Sequence, residues 1–105
     1  LIDVSADAKK VGFKIPVAIG DNLFNGYVTP PHGLEGEGQS LEGRLHDLFM
    51  MTQAAARTHR GESRIIFYVL FLMRPGKPER VKVLAVIGPG DEGEPVLTIC
   101  LPEDE

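Results

Sequence analysis

The run RIIFYVLFLM, Arg64 to Met73, decides the fold. It is long enough for a strand, is rich in β-branched and aromatic residues, and contains no glycine or proline. Alternation puts Ile65, Phe67, Val69 and Phe71 on one side and Ile66, Tyr68, Leu70 and Leu72 on the other. Both sets are bulky and apolar, whereas a strand with one wet face alternates apolar with polar residues. Pro75-Gly76 follows and supplies the central pair of a type II turn, glycine providing the positive φ. VKVLAVI (81–87) then reads as a second strand and PVLTICL (95–101) as a third, joined by GPGDEGE (88–94). Two hairpins in succession predict a C-terminal antiparallel meander, with PEDE (102–105) as a solvated tail.

Upstream of this run lies the clearest helix, 40–60. Leu41, Leu45, Leu48, Phe49, Thr52, Ala55 and Ala56 recur at helical spacing, Ser40 stands at the N-cap, and Gly61 follows Arg57, His59 and Arg60. Further toward the N-terminus, Ser5 is placed to cap a short helix ending near Gly12, and Asp21 to cap another carrying Leu23, Phe24, Tyr27 and Val28. FKIPVAI (13–19) between them reads as a short strand, which Pro16 consigns to an edge because it lacks a ladder donor. The fold class expected is α+β: an antiparallel sheet of three to four strands, formed by the C-terminal meander, packed against one long helix, with short helices at the N-terminus. Residues 1–105 are expected to form one domain, and no internal repeat interrupts them.

This plan leaves an imbalance. One helix covers one face of a sheet, yet the first strand is apolar on both. Hiding about 400 Å² of apolar surface, the size of a large exposed patch, contributes on the order of 10 kcal/mol before entropic costs. The short N-terminal helices could cover that face; a second copy of the chain is the expected cover, closed dimers being the commonest oligomers.

Composition sets outer bounds. At 43% hydrophobic and 25% charged, the chain has the proportions of a soluble domain, and its formal net charge is −4 from 11 basic and 15 acidic residues. No basic cluster tracks a nucleic-acid backbone, and no stretch is apolar enough to span a membrane, so neither nucleic acid nor membrane is an expected partner. The first ten residues lack the apolar core of a signal peptide, and the single cysteine, Cys100, excludes an internal disulfide, so a cytoplasmic location is expected. Cys100, inside an apolar run, reads as a small buried hydrophobe.

Candidate chemistry is sparse. GLEGEGQSLEGRLHD (33–47) places glycines before a helix start, as phosphate cradles do, but GxxxxGK[ST] and a complete GxGxxG are both missing. Glu35, Glu37 and Glu42 would meet an anion with like charge, each at a cost of about 4 kcal/mol at 4 Å and an effective dielectric of 20, and Arg44 alone does not offset them. Glu42 and His46 share one helix face at i,i+4, a spacing that suits an acid–base pair or part of a metal site, but no further ligand has the required spacing. No nucleophile–base pair can be named, and neither a metal nor a cofactor is expected. If a small-molecule site exists, it lies between loop 29–39 and the helix start and uses Glu37, Glu42, Arg44 and His46. On the helix face opposite the core stripe, His46, Met50, Ala54 and Arg57 form a candidate contact surface, flexible Met being favoured at adaptable interfaces.

Three stretches, VGFKIPVAI (11–19), GQSLEGRLHDLF (38–49) and VIGPGDEGEPVLTICLPEDE (86–105), resemble a family of small bacterial proteins of unknown function, often encoded on plasmids and other mobile or accessory DNA. The resemblance implies a cytoplasmic bacterial protein in an accessory-gene context. It also implies Trp at the position of His46, within a G-R-L-W-D pattern, hence a packing or contact role there and not a metal ligand. It brings no active site. The expected function is therefore non-enzymatic, a homodimeric interaction or accessory protein whose partner is itself or another protein. The alternative is a small-molecule binder or enzyme at 29–46.

Overall fold

The structure, a computed structural model, describes residues 1–34 and 36–105. Strands β3 (Arg64–Arg74), β4 (Lys77–Pro89) and β5 (Pro95–Cys100) pair antiparallel in succession. Gly76 has φ +69° at the β3–β4 turn, as the Pro-Gly pair requires. That turn sets Arg74 opposite Lys77; continued unbroken, it would set Val69 opposite Lys82 and Phe71 opposite Arg80, placing charged side chains among the apolar set that packs beneath α3. The register instead shifts between Leu72 and Arg74, leaving Met73 as an extra residue. Beyond the shift Val69 faces Val81, Phe67 faces Val83 and Ile65 faces Ala85. One residue of slip thus gathers the apolar residues of both strands on the face beneath α3, with Glu79 opposite Phe71 at its margin.

Two further strands, β1 (Ile2–Asp3) and β2 (Val17–Ile19), extend the sheet to five in the order β1-β2-β5-β4-β3, larger than the three or four strands expected. β2 runs parallel to β5 and lies inside the sheet, where an edge position was expected. Pro16 does no harm because it stands one residue before β2, and its carbonyl accepts a hydrogen bond from Leu97 N–H at 2.9 Å. β1 covers the outer side of β2 and is too short to show periodicity in the sequence.

The helix α1 (Ser5–Lys10) begins differently from the expectation. The hydroxyl of Ser5 makes no cap bond; it accepts from Val17 N–H at 3.0 Å and donates to the Val17 carbonyl at 3.3 Å, pinning α1 to β2. Asp3 takes over at the helix start, accepting from Ser5 N–H at 2.9 Å, and the Ser5 side chain, together with this backbone bond, holds its carboxyl below the usual range. α2 (Asp21–Leu23) has Gly20, not Asp21, at its N-cap and runs into a π-turn at Phe24–Val28. At Gly20 a Cβ would stand 2.9 Å from that of Cys100, so only glycine lets the chain pass.

The long helix α3 (Leu41–Thr58) starts as expected, Ser40 Oγ accepting from Gly43 N–H at 3.0 Å. Leu45, Leu48, Phe49, Thr52 and Ala55 are buried on it, and they pack with Phe67, Val69, Phe71, Val81 and Val83 of the sheet in one core; Ala56, expected in the stripe, is exposed. Arg44 is buried too, at 4% exposure. Its Nε and Nη2 donate to the Tyr27 carbonyl at 2.9 and 2.6 Å, and Nη1 donates to Gln39 Oε1 and the Leu72 carbonyl, both at 2.8 Å. The guanidinium also lies over the Phe71 ring, 5.2 Å from its centroid. Burial lowers the Arg44 pKa, with the charge of Asp47 opposing, yet a guanidinium stays protonated at any ordinary pH. One side chain thereby ties α3, the π-turn and the end of β3 together.

The C-terminal residues are not a free tail. Pro102–Asp104 form a 3₁₀ turn, Asn22 Nδ2 donates to the Asp104 carboxylate at 3.1 Å, and Arg64 Nε donates to Glu105 at 3.0 Å. The turn folds back toward β4, on the sheet face opposite α3, where Leu84 and Cys100 are buried.

Two outcomes follow for stability and titration. Arg44→Met keeps an apolar stem but strands the part-buried carbonyls of Tyr27 and Leu72, and is expected to lower unfolding free energy by about 1–3 kcal/mol in urea melts; an unchanged midpoint contradicts the tie. The hydrogen bond from Arg64 holds the Glu105 carboxyl below the usual value. The contact is therefore present at neutral pH and fades as pH falls through that lowered folded-state pKa. Carboxyl NMR titration is expected to show a depressed midpoint that returns to the ordinary Glu range in Arg64→Ala.

Candidate functional site

The outer side of β3 carries the most distinctive surface. Ile66, Tyr68 and Leu70 are 43%, 40% and 66% exposed, so the second apolar set of the strand lies largely in water. The C-terminal turn reaches Leu84 and Cys100 but leaves these residues open. Arg80 stacks over the Tyr68 ring at 3.8 Å from its centroid, and Lys82, directly opposite Tyr68 in the ladder, lies at 5.9 Å. A cation over an exposed ring contributes about 0.5–1 kcal/mol and fixes the ring plane.

β3 is also an edge strand, and its backbone directions follow from one bond. Ile87 N–H donates to the Ser63 carbonyl at 2.8 Å, which makes that rung a hydrogen-bonded pair. Such pairs alternate, so Ile65, Phe67, Val69 and Phe71 bond to β4, while Arg64, Ile66, Tyr68, Leu70 and Leu72 turn N–H and C=O outward. The carbonyl of Leu72, accepting from Arg44, bears this out. Arg44 and the π-turn therefore close the edge at Leu72, and among the described residues nothing pairs with the edge from Arg64 to Leu70.

A groove of about 530 Å³ follows this edge, with Asp47, Met50 and Met51 on the α3 side and Tyr68, Leu70 and Arg80 on the other. Met50 and Met51 are 42% and 43% exposed. Periodicity alone identifies Met50 as outward-facing; Met51 and Tyr68 escape it. The signal for Tyr68 was the two-sided strand itself.

The residues considered for a small-molecule site are dispersed. Arg44 is turned into the core. Glu37 is exposed in a turn, its N–H donating to the Leu34 carbonyl at 3.0 Å, and Glu35 lies outside the described residues. Glu42 and His46 are exposed and line a separate depression of about 380 Å³ with Asp7, Lys10, Leu41 and Phe49. His46 is thus on the α1 side of the helix and Met50 at the β3 groove, with Ala54 half-buried and Arg57 exposed beyond them. Among the described residues no three His, Cys, Asp or Glu side chains converge as a metal site.

At the other end of the sheet a cleft of about 590 Å³ is floored by Val86, Val96, Thr98 and Cys100 and rimmed by Asp91, Glu94, Asp104 and Glu105. Burial, then the neighbouring carboxylates of Asp104 and Glu105, pushes the Cys100 thiol pKa up, the reverse of what a nucleophilic cysteine needs. Among the described residues no helix is long and apolar enough to cross a membrane.

No curated protein and no solved structure is significantly similar to the chain. A model described as a family of unknown function (DUF6573) matches residues 2–105, nearly the whole length, and the chain belongs to that family.

Proposed function

We propose that this is a small non-enzymatic accessory protein that works by protein–protein contact, and that it associates with a second copy of itself. One observation carries the reading: the open strand segment 64–70, apolar on its outer face and unpaired along its edge. Such strands invite association, and proteins that must stay monomeric blunt them with proline, lysine, bulges or cover. Here the bulge and the cover begin only beyond Leu70, and no lysine or proline interrupts the segment. Ile66, Tyr68, Leu70, Met50 and Met51 together form a patch on the order of the 300–600 Å² that marks contact sites.

The setting proposed is the bacterial cytoplasm, with the gene on accessory or mobile DNA. A lone, buried cysteine suits a reducing compartment, and the resemblance of the sequence supplies the genetic context.

Sedimentation velocity at micromolar concentration is expected to give a species of twice 11.5 kDa. Leu70→Glu, at a site so exposed that the monomer should lose no more than about 0.5 kcal/mol, is expected to weaken association at least ten-fold with the circular dichroism unchanged. A wild-type monomer at those concentrations would sink the proposal.

A further inference from the structure

We infer that two copies join antiparallel along β3, with the two-fold axis beside Phe67, so that their sheets merge into one of ten strands. The inference rests on the self-association proposed above and adds the edge, the direction and the register. The open edge runs from Arg64 to Leu70, and its outward N–H and C=O groups belong to Arg64, Ile66, Tyr68 and Leu70. A strand that pairs antiparallel with its own copy is symmetric about one point, and only an axis at Phe67 engages all four residues within the open stretch. Arg64 then exchanges hydrogen bonds with Leu70 of the second copy, and Ile66 with Tyr68, for about eight bonds in all. An axis one residue further on would set Arg64 of the second copy opposite Leu72, where Arg44 and the carbonyl of Tyr27 already occupy the edge. The ladder ends where that plug begins.

Side chains and charge agree with this direction. On the outer face Ile66 lands beside Tyr68 of the second copy, and on the helix side Met50 and Met51 overhang the incoming strand. The β3–β4 hairpin carries Arg74, Lys77, Arg80 and Lys82 against Glu79 alone, and among the described residues none of these four cations has a carboxylate within 4.0 Å. The opposite end of the sheet carries Asp91, Glu92, Glu94, Asp104 and Glu105, while Glu103 lies beside Arg80 and Lys82. Antiparallel pairing brings the basic end of each copy alongside the acidic end of the other, whereas a parallel arrangement would set like beside like. The pairing is isologous and closed.

Cysteine cross-linking reads the register directly. In a Cys100→Ala background, Ile66→Cys and Tyr68→Cys are prepared as separate full-length proteins. A directly opposed pair has its Cα atoms about 5.5 Å apart, within disulfide reach. Mixed in equal amounts in a glutathione redox buffer, the two variants are expected to give at least ten-fold more covalent dimer than either alone. Cross-linking of Tyr68→Cys with itself, or a wild-type dimer with no cross-link in the mixture, would overturn the register while leaving self-association intact. Should the cysteines disturb folding, amide exchange on the unmodified protein decides. The amides of Arg64, Ile66, Tyr68 and Leu70 should exchange at least ten-fold more slowly in concentrated samples than in Leu70→Glu, and equal rates in a proven dimer would overturn the inference. A wild-type monomer would overturn both statements and leave the edge to a strand from another protein.

Discussion

The register step at Met73 governs most of what this molecule presents to its surroundings. Without it, the two-residue turn at Pro75-Gly76 would align odd positions of β3 with even positions of β4, and the face beneath α3 would hold Val69 beside Lys82 and Phe71 beside Arg80. With it, Val69 and Val81 meet beneath α3, while Tyr68 and Lys82 meet outside. The same step fixes which amides turn toward β4 and which toward solvent, because side-chain face and backbone direction alternate together along an edge strand. Which side chains enter the core and which amides line the open edge are thus both set by one inserted residue.

Arg44 sets the second boundary. A buried guanidinium with no carboxylate within 4.0 Å among the described residues is costly to desolvate, and it is tolerated here because its donors meet carbonyl and amide oxygens and its plane covers Phe71. Those acceptors come from three separate segments, which pins the π-turn against the end of β3. The edge is sealed on one side of Leu70 and free on the other. The core tie and the proposed contact surface therefore share a border, and loosening the first would lengthen the second.

The long helix, its Ser40 cap, the two-sided strand and the type II turn could all be read from the sequence, since each is a local signal of spacing or turn chemistry. Three features could not. β1 has only two residues, fewer than any period needs, and it becomes a strand because β2 offers it an edge. Pro16 argued for an edge strand on a boundary misplaced by a few residues; once β2 begins at Val17 the missing donor lies outside the ladder. Arg44 stands four and eight residues before Leu48 and Thr52, squarely on the core stripe, but its charge pointed to a ligand site beside Glu42 and His46. Periodicity was the better guide there, because a guanidinium can enter a core wherever several carbonyls are left over. The surplus apolar face was legible from alternation alone, while the free edge beside it needed the strand order.

The two edges of the sheet are unequal, and this bears on what association can produce. β1 exposes two residues, whereas β3 exposes seven before Arg44 intervenes. Ladder hydrogen bonds and flanking side chains accumulate with length, so a contact through β1 would gain little against the entropy lost on joining two molecules. A chain with a single adhesive edge can satisfy it by a two-fold operation and then has nothing left to extend the assembly, whereas two comparable edges would propagate a sheet without limit. The short β1, tied at its end by Asp3 to the start of α1, thus has a role opposite to that of β3: it ends the sheet. An apolar strand left open on one side is compatible with a well-behaved protein only if the other side is closed in this way, and the pairing of β1 on β2 provides that closure.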